Sequence, residues 1–481
     1  MSTPTLHKAY DSRLFSEQGN DLIQQISNHL EQNITGQKET ITKWVDPQEE
    51  YTFWKTYTQE NHTTQSFFET VLKRSIHIHH PHYIGHQIAP TVPVSALANL
   101  LSAQLNNGMA VYEMGQASSA IERVVIEFFT ETIGWQEGDG FLTSGGTLAN
   151  LTALLAARKV KANSDIWNDG YDGKLAIMVS EEAHYCVDRS ARIMGLGEAG
   201  IIKVPVGEDY KIRVDLLQHY YDQAVQDGFE VIAVIGSAPS TSTGIYDDLD
   251  GVSAFAKANN IWFHVDGAHG GAAIFSKKHK HLLRGINKAD SVIIDGHKMM
   301  GTSAITTAVL FKNSVDSYAT FSQKAQYLWE QNDDPEWYNL AKRTFECTKS
   351  MMSLRFYAIL NAYGTQFFDD FVTTLYDSAH VFSEYIKESP DFELALEAQS
   401  NIVCFRYTGG IPKEKIQEVN KTIRKTLLEE GTFYIVSTTL KGELWLRTTF
   451  MNPFTTEEHT QKLTDKIRTI AKSIHHKMQD A

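Results

Sequence analysis

Residues 290–301 read DSVIIDGHKMMG, an apolar run followed by a glycine turn and a lysine. The run at 291–294 predicts a short buried strand, and Gly296 lets the backbone turn at its end. His297 and Lys298 follow that turn. A lysine among apolar neighbours is a candidate for Schiff-base chemistry, because desolvation disfavours its ammonium form and leaves part of the amine nucleophilic. A surface lysine beyond a strand end is the alternative.

Similar apolar runs recur upstream and downstream, with helical patterns between them. The predicted strands are residues 175–179, 231–235, 261–265, 291–294 and 306–311. Continuous apolar strands spaced by helices predict a mostly parallel sheet that is covered on both faces. Ligands bind beyond the carboxyl ends of the strands in such sheets. His184, Ser240, Thr241, Asp266 and Lys298 all fall at such ends.

The two ends of the chain differ from this α/β pattern. Residues 1 to about 75 are polar and helical in pattern, and further helices are predicted at 93–107, 118–133 and 349–363. After residue 370, three predicted strands (402–407, 433–438 and 444–449) occur with helices at 412–429 and 456–478. We predict an N-terminal helical segment over 1–85, a large α/β domain over 86–370 and a small α+β domain over 371–481.

Residues 140–150 read GFLTSGGTLAN and run into an amphipathic helix pattern. Small residues at a helix start leave backbone N–H groups accessible, and the helix dipole adds attraction for an anion. This favours a phosphate site. A plain loop capped by Ser144 or Thr147 is an equal alternative on local grounds. A Walker motif is excluded, because no Gly-Lys-Ser/Thr follows.

Five histidines occur within residues 77–86. A metal site is the less favoured interpretation, because Pro81 breaks the helical spacing and no Cys, Asp or Glu lies among the histidines. We expect a polar loop that lines a pocket, and no metal.

Composition and charge limit the kinds of partner and the cellular compartment that we expect for this protein. A net charge of -14 argues against nucleic acid and anionic membrane as partners, since both need basic patches. The three cysteines, Cys186, Cys347 and Cys404, lack metal-ligand spacing and suit a reducing compartment. No signal peptide or apolar span of ~18 residues is visible. We expect a soluble cytoplasmic protein.

The glycine-rich stretch at 144–147, His184, Asp266 and Lys298 together indicate a cofactor with a phosphate, a cationic aromatic ring and an aldehyde. Pyridoxal 5′-phosphate has these three parts, and its phosphate would bind at 144–147. Lys298 would hold the aldehyde as an imine, and Asp266 would keep the pyridine nitrogen protonated. His184 could stack on one face of the ring, and Ala268 is small enough to touch the other.

Three ordered runs, at 263–271, 278–286 and 289–301, resemble the group II pyridoxal-phosphate decarboxylases. Glutamate, cysteine-sulfinate, diaminobutyrate and aromatic amino-acid decarboxylases belong to this group. The resemblance extends from about residue 75 to 455. It implies an α/β fold of the aspartate-aminotransferase type (fold type I), an amino-acid substrate, and a homodimer with active sites at the subunit interface.

The resemblance also implies residue roles. Lys298 would be the imine lysine with His297 beside it, and His184 and Tyr338 would join Lys298 in catalysis. Arg447 would hold the substrate α-carboxylate, and the loop at 80–87, including His86, would contribute to side-chain recognition. The implied cofactor-binding residues are Ser144, Gly145, Gly146, Thr147, His184, Thr241, Asp266, Ala268, His297 and Lys298.

The sequence departs from the family pattern at several positions. Gly267 and His269 replace residues common there, and Ser240 precedes Thr241 in place of the usual threonine. The tyrosine that would protonate Cα after CO2 leaves does not align cleanly. Tyr338 is favoured over Tyr327. Without such a tyrosine, decarboxylation coupled to oxidative deamination would give an aldehyde.

Two other functions stay open at this point. One is a different pyridoxal-phosphate enzyme on the same fold, an aminotransferase or a carbon–sulfur lyase. The other is an inactive relative that binds cofactor or a partner, although the presence of Lys298 and Asp266 argues against it. The sequence does not name the substrate.

Overall fold

The computed structural model describes residues 3–171, 173–321 and 336–479. They fall into two units. The larger lies within residues 87–383 and 396–403, and the smaller within residues 1–86, 384–395 and 404–481. The three-part division at residues 85 and 370 stays a prediction. None of the described helices is long and apolar enough to cross a membrane.

Eleven strands occur in the described residues. In chain order they are β1 (Asp139–Thr143), β2 (Leu175–Ser180), β3 (Ile201–Val204), β4 (Glu230–Ser237), β5 (Trp262–Asp266), β6 (Ser291–Asp295), β7 (Thr307–Phe311), β8 (Phe392–Leu394), β9 (Ile402–Tyr407), β10 (Val436–Leu440) and β11 (Glu443–Thr449).

The described residues also form sixteen α-helices. They are α1 (Pro4–Ala9), α2 (Ser12–Ile34), α3 (Pro47–Tyr57), α4 (Thr64–Arg74), α5 (Pro93–Leu105), α6 (Gln116–Ile133), α7 (Gly146–Lys161), α8 (Ile166–Asp169), α9 (Tyr185–Ile193), α10 (Leu217–Gln226), α11 (Leu249–Ala258), α12 (Asp316–Ala319), α13 (Ser353–Tyr363), α14 (Gln366–Glu388), α15 (Ile416–Glu430) and α16 (Glu457–Gln479).

The larger unit is built on a seven-stranded sheet in the order β1-β7-β6-β5-β4-β2-β3. Strands β2 to β6 run parallel, and β7 is antiparallel to both β6 and β1. Most strands are buried along their whole length, as expected for a sheet covered on both faces. The prediction of a mostly parallel α/β sheet is therefore confirmed.

The sequence pattern did not predict two strands of this sheet, β1 and β3. β1 contains Asp139 and Gly140, residue types that are rare in strands. The glycine is needed there, because a Cβ at residue 140 would lie 2.2 Å from the carbonyl oxygen of Val309 on β7. β3 is short and buries only its first and last residues, so it lacks a continuous apolar run.

The smaller unit contains helices α1 to α4, α15 and α16 and a four-stranded sheet in the order β10-β11-β9-β8. β8 pairs antiparallel with β9, and β10 with β11. The expectation of a small C-terminal α+β part is confirmed. The predicted helix at 412–429 begins at Ile416, because residues 413–415 form a 3-10 turn after Pro412.

The histidine-rich stretch lies in the smaller unit and is an irregular loop, most of which is buried. That it lines a pocket stays a prediction. His77 and His80 are buried. A ring nitrogen of His80 lies 3.0 Å from the Lys38 carbonyl oxygen, and one of His82 lies 3.0 Å from that of Thr432. Burial lowers the pKa of each of these three histidines, so the rings are neutral. Within the described residues, no group of three or more His, Cys, Asp or Glu side chains is arranged to hold a metal ion.

Candidate active site

A cavity of about 200 Å³ lies at the carboxyl ends of three neighbouring parallel strands. It is lined by the final residue of each of these strands: Ser237 of β4, Asp266 of β5 and Asp295 of β6. The first residues of α7 line it as well. This is the edge at which open α/β sheets bind ligands. The described lining residues are Gly146, Thr147, Asn150, His184, Cys186, Ser237, Pro239, Ser240, Thr241, Asp266, Ala268, His269, Asp295, His297 and Lys298.

Most of the cofactor-binding residues predicted from sequence meet in this cavity. Those lining it are Gly146, Thr147, His184, Thr241, Asp266, Ala268, His297 and Lys298. Ser144 and Gly145 adjoin it at the start of α7 but do not line it. The hydroxyl of Ser144 instead donates to Glu346 Oε1 at 2.8 Å.

The N-terminus of α7 is shaped to admit a bulky anion. Gly145 precedes the helix with φ +110°, a backbone conformation that favours glycine. At Gly146 an added Cβ would lie 3.3 Å from both Asp295 carboxylate oxygens and 3.4 Å from the Ala268 Cβ. Two consecutive glycines therefore keep side chains away from the first turn of a 16-residue helix, where the N–H groups and the helix dipole attract phosphate.

Lys298 is paired with a carboxylate that the sequence argument left without a role. Its Nζ lies 3.0 Å from Oδ2 of Asp295, whose Oδ1 accepts a hydrogen bond from the Thr307 hydroxyl at 2.6 Å. Burial acts to lower the pKa of Lys298, but the attraction of Asp295 and Asp266 outweighs it and raises that pKa above its ordinary value. The expectation of a partly neutral amine was therefore wrong for the protein without cofactor, in which Lys298 is an ammonium ion at neutral pH.

Both carboxylate oxygens of Asp266 receive hydrogen bonds from neutral donors. The backbone N–H of Ala268 donates to Oδ1 at 3.2 Å, and the side-chain amide of Asn150 donates to Oδ2 at 3.1 Å. Neither donor cancels the charge, so Asp266 presents a fixed negative charge to the cavity. Such a group suits a protonated heterocyclic nitrogen.

His184 caps the N-terminus of α9, where its Nδ1 accepts the backbone N–H of Cys186 at 3.4 Å. Burial lowers the pKa of His184, against the opposing pull of Asp266, so its ring is neutral and available for stacking. Burial also raises the pKa of the Cys186 thiol to about 12, which keeps this cysteine protonated and unreactive.

The remaining predicted site residues lie elsewhere. The Tyr338 ring packs edge-on against Tyr112, with the centroids 5.5 Å apart, and is not among the described residues that line the cavity. Arg447 is buried on β11 of the smaller unit, and burial lowers its pKa. His86, in the same unit, has its pKa lowered by burial and by the charge of Arg447. Tyr327 lies outside the described residues.

Sequence reasoning missed four contributors: Asn150, Cys186, Ser237 and Asp295. Two signals would have found most of them. Ser237 and Asp295 end strands, as Asp266 does, so the rule about strand ends applies to them equally. Asn150 lies three residues after Thr147, less than one turn further along the predicted helix.

These residues fit pyridoxal 5′-phosphate part by part. The start of α7 offers an unobstructed N–H cluster for the phosphate, Asp266 a fixed negative charge for the ring nitrogen, and Lys298 an amine for the aldehyde. The fit rests on the glycine contacts and on the hydrogen bonds of Asp266.

Comparison with known proteins agrees with this chemistry. The family model described as the pyridoxal-dependent decarboxylase conserved domain matches residues 45–408. The aromatic-L-amino-acid decarboxylase of Bacillus atrophaeus is 28% identical over 411 residues, which cover 84% of each chain. The aspartate 1-decarboxylase of Aliivibrio fischeri is 26% identical over 501 residues, covering 94% of this chain and 91% of that relative.

A solved structure supports the same assignment. It is the glutamate decarboxylase domain of diaminobutyrate-pyruvate transaminase and L-2,4-diaminobutyrate decarboxylase from Vibrio parahaemolyticus, with a TM-score of 0.83, 25% identity and coverage of 95% of this chain and 96% of that chain. The family model spans well over half of the sequence and includes every residue of the cavity. The chain therefore belongs to the pyridoxal-dependent decarboxylase family and is a pyridoxal-phosphate-dependent amino-acid decarboxylase.

Proposed function

We propose that this enzyme removes the α-carboxylate of an L-amino acid as CO2 and releases the corresponding amine, with Lys298 as the residue that links covalently to the cofactor. The observation that carries the proposal is the convergence of Lys298, Asp266 and the glycine-rich start of α7 on one cavity. When bound, the cofactor supplies an electron sink for the pair of electrons left by the departing CO2.

The residues of the cavity have separable tasks in this proposal. Asp266 holds a proton on the ring nitrogen, which maintains the electron sink. The α7 N-terminus fixes the phosphate, and the neutral ring of His184 packs against the cofactor without adding charge. Together they set the orientation of the bound amino acid, and orientation determines which bond at Cα breaks.

Lys298 must lose a proton before its nitrogen can act as a nucleophile. Asp295 Oδ2 lies 3.0 Å away and is the acceptor that the geometry offers. In this proposal Asp295 therefore has two roles. It holds Lys298 in place before the cofactor arrives, and it receives the lysine proton when the amine reacts.

Three residues that do not line the cavity are proposed to act on the substrate. Arg447 suits the α-carboxylate because its guanidinium presents a fork of donors, and burial leaves it poorly hydrated. His86 would contribute to side-chain recognition, and Tyr338 would return a proton to Cα. The two curated relatives and the solved structure carry aromatic, aspartate, glutamate and diaminobutyrate decarboxylase names, so the substrate is sought first among these amino acids.

A homodimer is proposed from the exposed apolar side chains of two helices. On α5, the leucines Leu97, Leu100, Leu101 and Leu105 are 45–54% exposed and share one helix face. On α2, Phe15, Ile23 and Ile26 are exposed as well. Contiguous apolar patches of this kind mark protein interfaces. None of the three cysteines, all of which lie in the described residues, forms a disulfide, and this supports the cytoplasmic location that we propose.

The test is a measurement of CO2, amine and aldehyde from purified enzyme with pyridoxal 5′-phosphate and a panel of L-amino acids. Equal amounts of CO2 and amine from one or two substrates are expected, with loss of both in Lys298→Ala. Aldehyde with ammonia would mean that the proton donor to Cα is missing. A keto acid without CO2 would contradict the proposed reaction.

A further inference from the structure

A chain of buried hydrogen bonds lies behind Asp266. Trp262, His264 and Asp266 share one face of β5, because alternate residues of a strand point the same way. The Trp262 indole nitrogen and a His264 ring nitrogen (Nδ1) each lie 2.8 Å from the Ser291 hydroxyl. The other ring nitrogen of His264 (Nε2) lies 2.8 Å from Asn150 Oδ1, and the Asn150 amide nitrogen donates to Asp266 Oδ2 at 3.1 Å.

The carboxylate end of the chain and a neutral His264 ring fix the direction of the hydrogen bonds between them. A carboxylate can only accept, so the amide nitrogen of Asn150 faces Asp266 and its oxygen faces His264. The single proton of a neutral His264 must then be on Nε2, and its Nδ1 accepts from the Ser291 hydroxyl. The Ser291 oxygen in turn accepts from the Trp262 indole N–H, which can only donate.

The surroundings of His264 agree with a neutral ring. Its side chain is 0% exposed, and burial lowers its pKa to about 4, so it carries no charge at neutral pH. A positively charged partner would cancel the negative charge of Asp266. A chain of neutral donors orients the carboxylate and leaves its charge directed at the cavity.

We propose that His264 and Asn150 are positioning residues that hold the Asp266 carboxylate in the orientation required to bind the cofactor ring nitrogen. This inference rests on the role of Asp266 in the proposed function. Neither residue acts by filling space alone. His264 acts through Asn150, and Asn150 acts through its hydrogen bond to Asp266.

The test compares two replacements of His264 by their affinity for pyridoxal 5′-phosphate. His264→Phe keeps a planar ring but removes both polar atoms. It should weaken binding by about tenfold, the effect of disturbing a hydrogen bond to a charged group. His264→Gln places an amide N–H near the position of Nε2 and should recover most of that loss. His219→Phe, at an exposed histidine of α10, is the matched control and should bind as the wild type does.

One further measurement completes the test. In the unaltered enzyme, ¹⁵N NMR of the histidines, with the His264 signal assigned by its absence in His264→Gln, should show the Nε2–H form. The Nδ1–H form would overturn the proposed direction of the chain. Equal losses of affinity in His264→Phe and His264→Gln would indicate a packing role and would also overturn the proposal.

The failure of this proposal can be told apart from the failure of the proposed function. Cofactor affinity and the histidine tautomer are measured without turnover, so a lack of CO2 release from every amino acid would leave both readouts intact. If Asp266→Asn weakens binding while His264→Phe does not, only the positioning role is lost. If Asp266→Asn binds as tightly as the wild type, the role of Asp266 and the positioning role both fail, while CO2 release still tests the proposed reaction separately.

Discussion

Replacing Asp295 by asparagine removes the charge that faces Lys298 and keeps the shape of the side chain. Asp295 is 2% exposed, so water screens the pair poorly. At the observed 3.0 Å between Nζ and Oδ2, Coulomb's law with an effective dielectric constant of 20 gives an attraction of about 5.5 kcal/mol. Desolvation offsets part of it. Breaking a buried ion pair at one partner costs about 3–5 kcal/mol, and we expect Asp295→Asn to lower the free energy of unfolding of the unloaded enzyme by about 3 kcal/mol.

The stability that this ion pair contributes should depend on pH in one direction. The folded-state pKa of Lys298 lies above its ordinary value. The ion pair therefore contributes stability that is fully present below the pKa of an unfolded lysine and is lost as pH rises through the higher folded pKa. The difference in free energy of unfolding between the wild type and Asp295→Asn should be constant around pH 7 and should shrink in strongly alkaline solution.

The assay is urea unfolding of the enzyme without cofactor, for Asp295→Asn, Lys298→Met and the double variant. A coupling energy of about 3 kcal/mol between the two positions is expected from this cycle. Asp250→Asn is the control, because Asp250 pairs with the largely exposed Lys288 at 2.6 Å and Arg284 at 2.8 Å, and exposed pairs contribute about 1 kcal/mol or less each. A coupling energy between Asp295 and Lys298 no larger than this control effect would refute the reasoning.

Three further predictions concern acid stability, a buried ion pair and the product. Burial lowers the pKa of His29, His77 and His82 to about 4; their contribution to stability is therefore present above pH 6.5 and lost as pH falls toward 4, and a urea midpoint that stayed constant over this window would contradict this. Arg343 lies 2.7 Å from Asp139, and both side chains are 3% exposed. Asp139 also pairs with Arg123 at 3.0 Å, so Arg343→Met should destabilise the protein in thermal unfolding by less than the ~3–5 kcal/mol of an unpaired buried charge, and by less again when Asp139→Asn is also present. Tyr338→Phe should lower amine formation by about 100-fold without changing cofactor affinity, and an unchanged rate would exclude Tyr338 as the proton donor.

The parts of the fold that the sequence predicted are those with a local signal. The central parallel strands are continuous apolar runs, and Asp266 and Lys298 follow or end two of them, so their meeting at one sheet edge follows from topology. β1 lacked such a signal, because close contact with the Val309 carbonyl requires Gly140 as the second residue of the strand. Taken alone, a glycine in a sequence suggests a turn. In β1 the glycine instead reflects the close approach of two strands.

The charge state of Lys298 and the chain behind Asp266 depended on distances that no local pattern contains. Asp295 ends β6 and lies only three residues before Lys298, and a turn separates them. Whether the amine folds back over the carboxylate depends on the path of that turn. Asn150 and His264 are 114 positions apart and meet because α7 packs on the sheet. Burial of the lysine was foreseeable from sequence, but the counter-charge that reverses the effect of burial was not.

Asp266 and Asp295 show why burial alone does not assign the role of a carboxylate. Both end neighbouring parallel strands and both line the same cavity. Asp266 receives hydrogen bonds from a backbone N–H and a side-chain amide, so its negative charge stays available to a cationic ring. Asp295 faces the ammonium group of Lys298, which cancels its charge until that lysine becomes neutral. Loss of charge at Asp266 should therefore appear first in cofactor affinity, and loss of charge at Asp295 first in the stability of the unloaded protein, because the partner of each carboxylate is different.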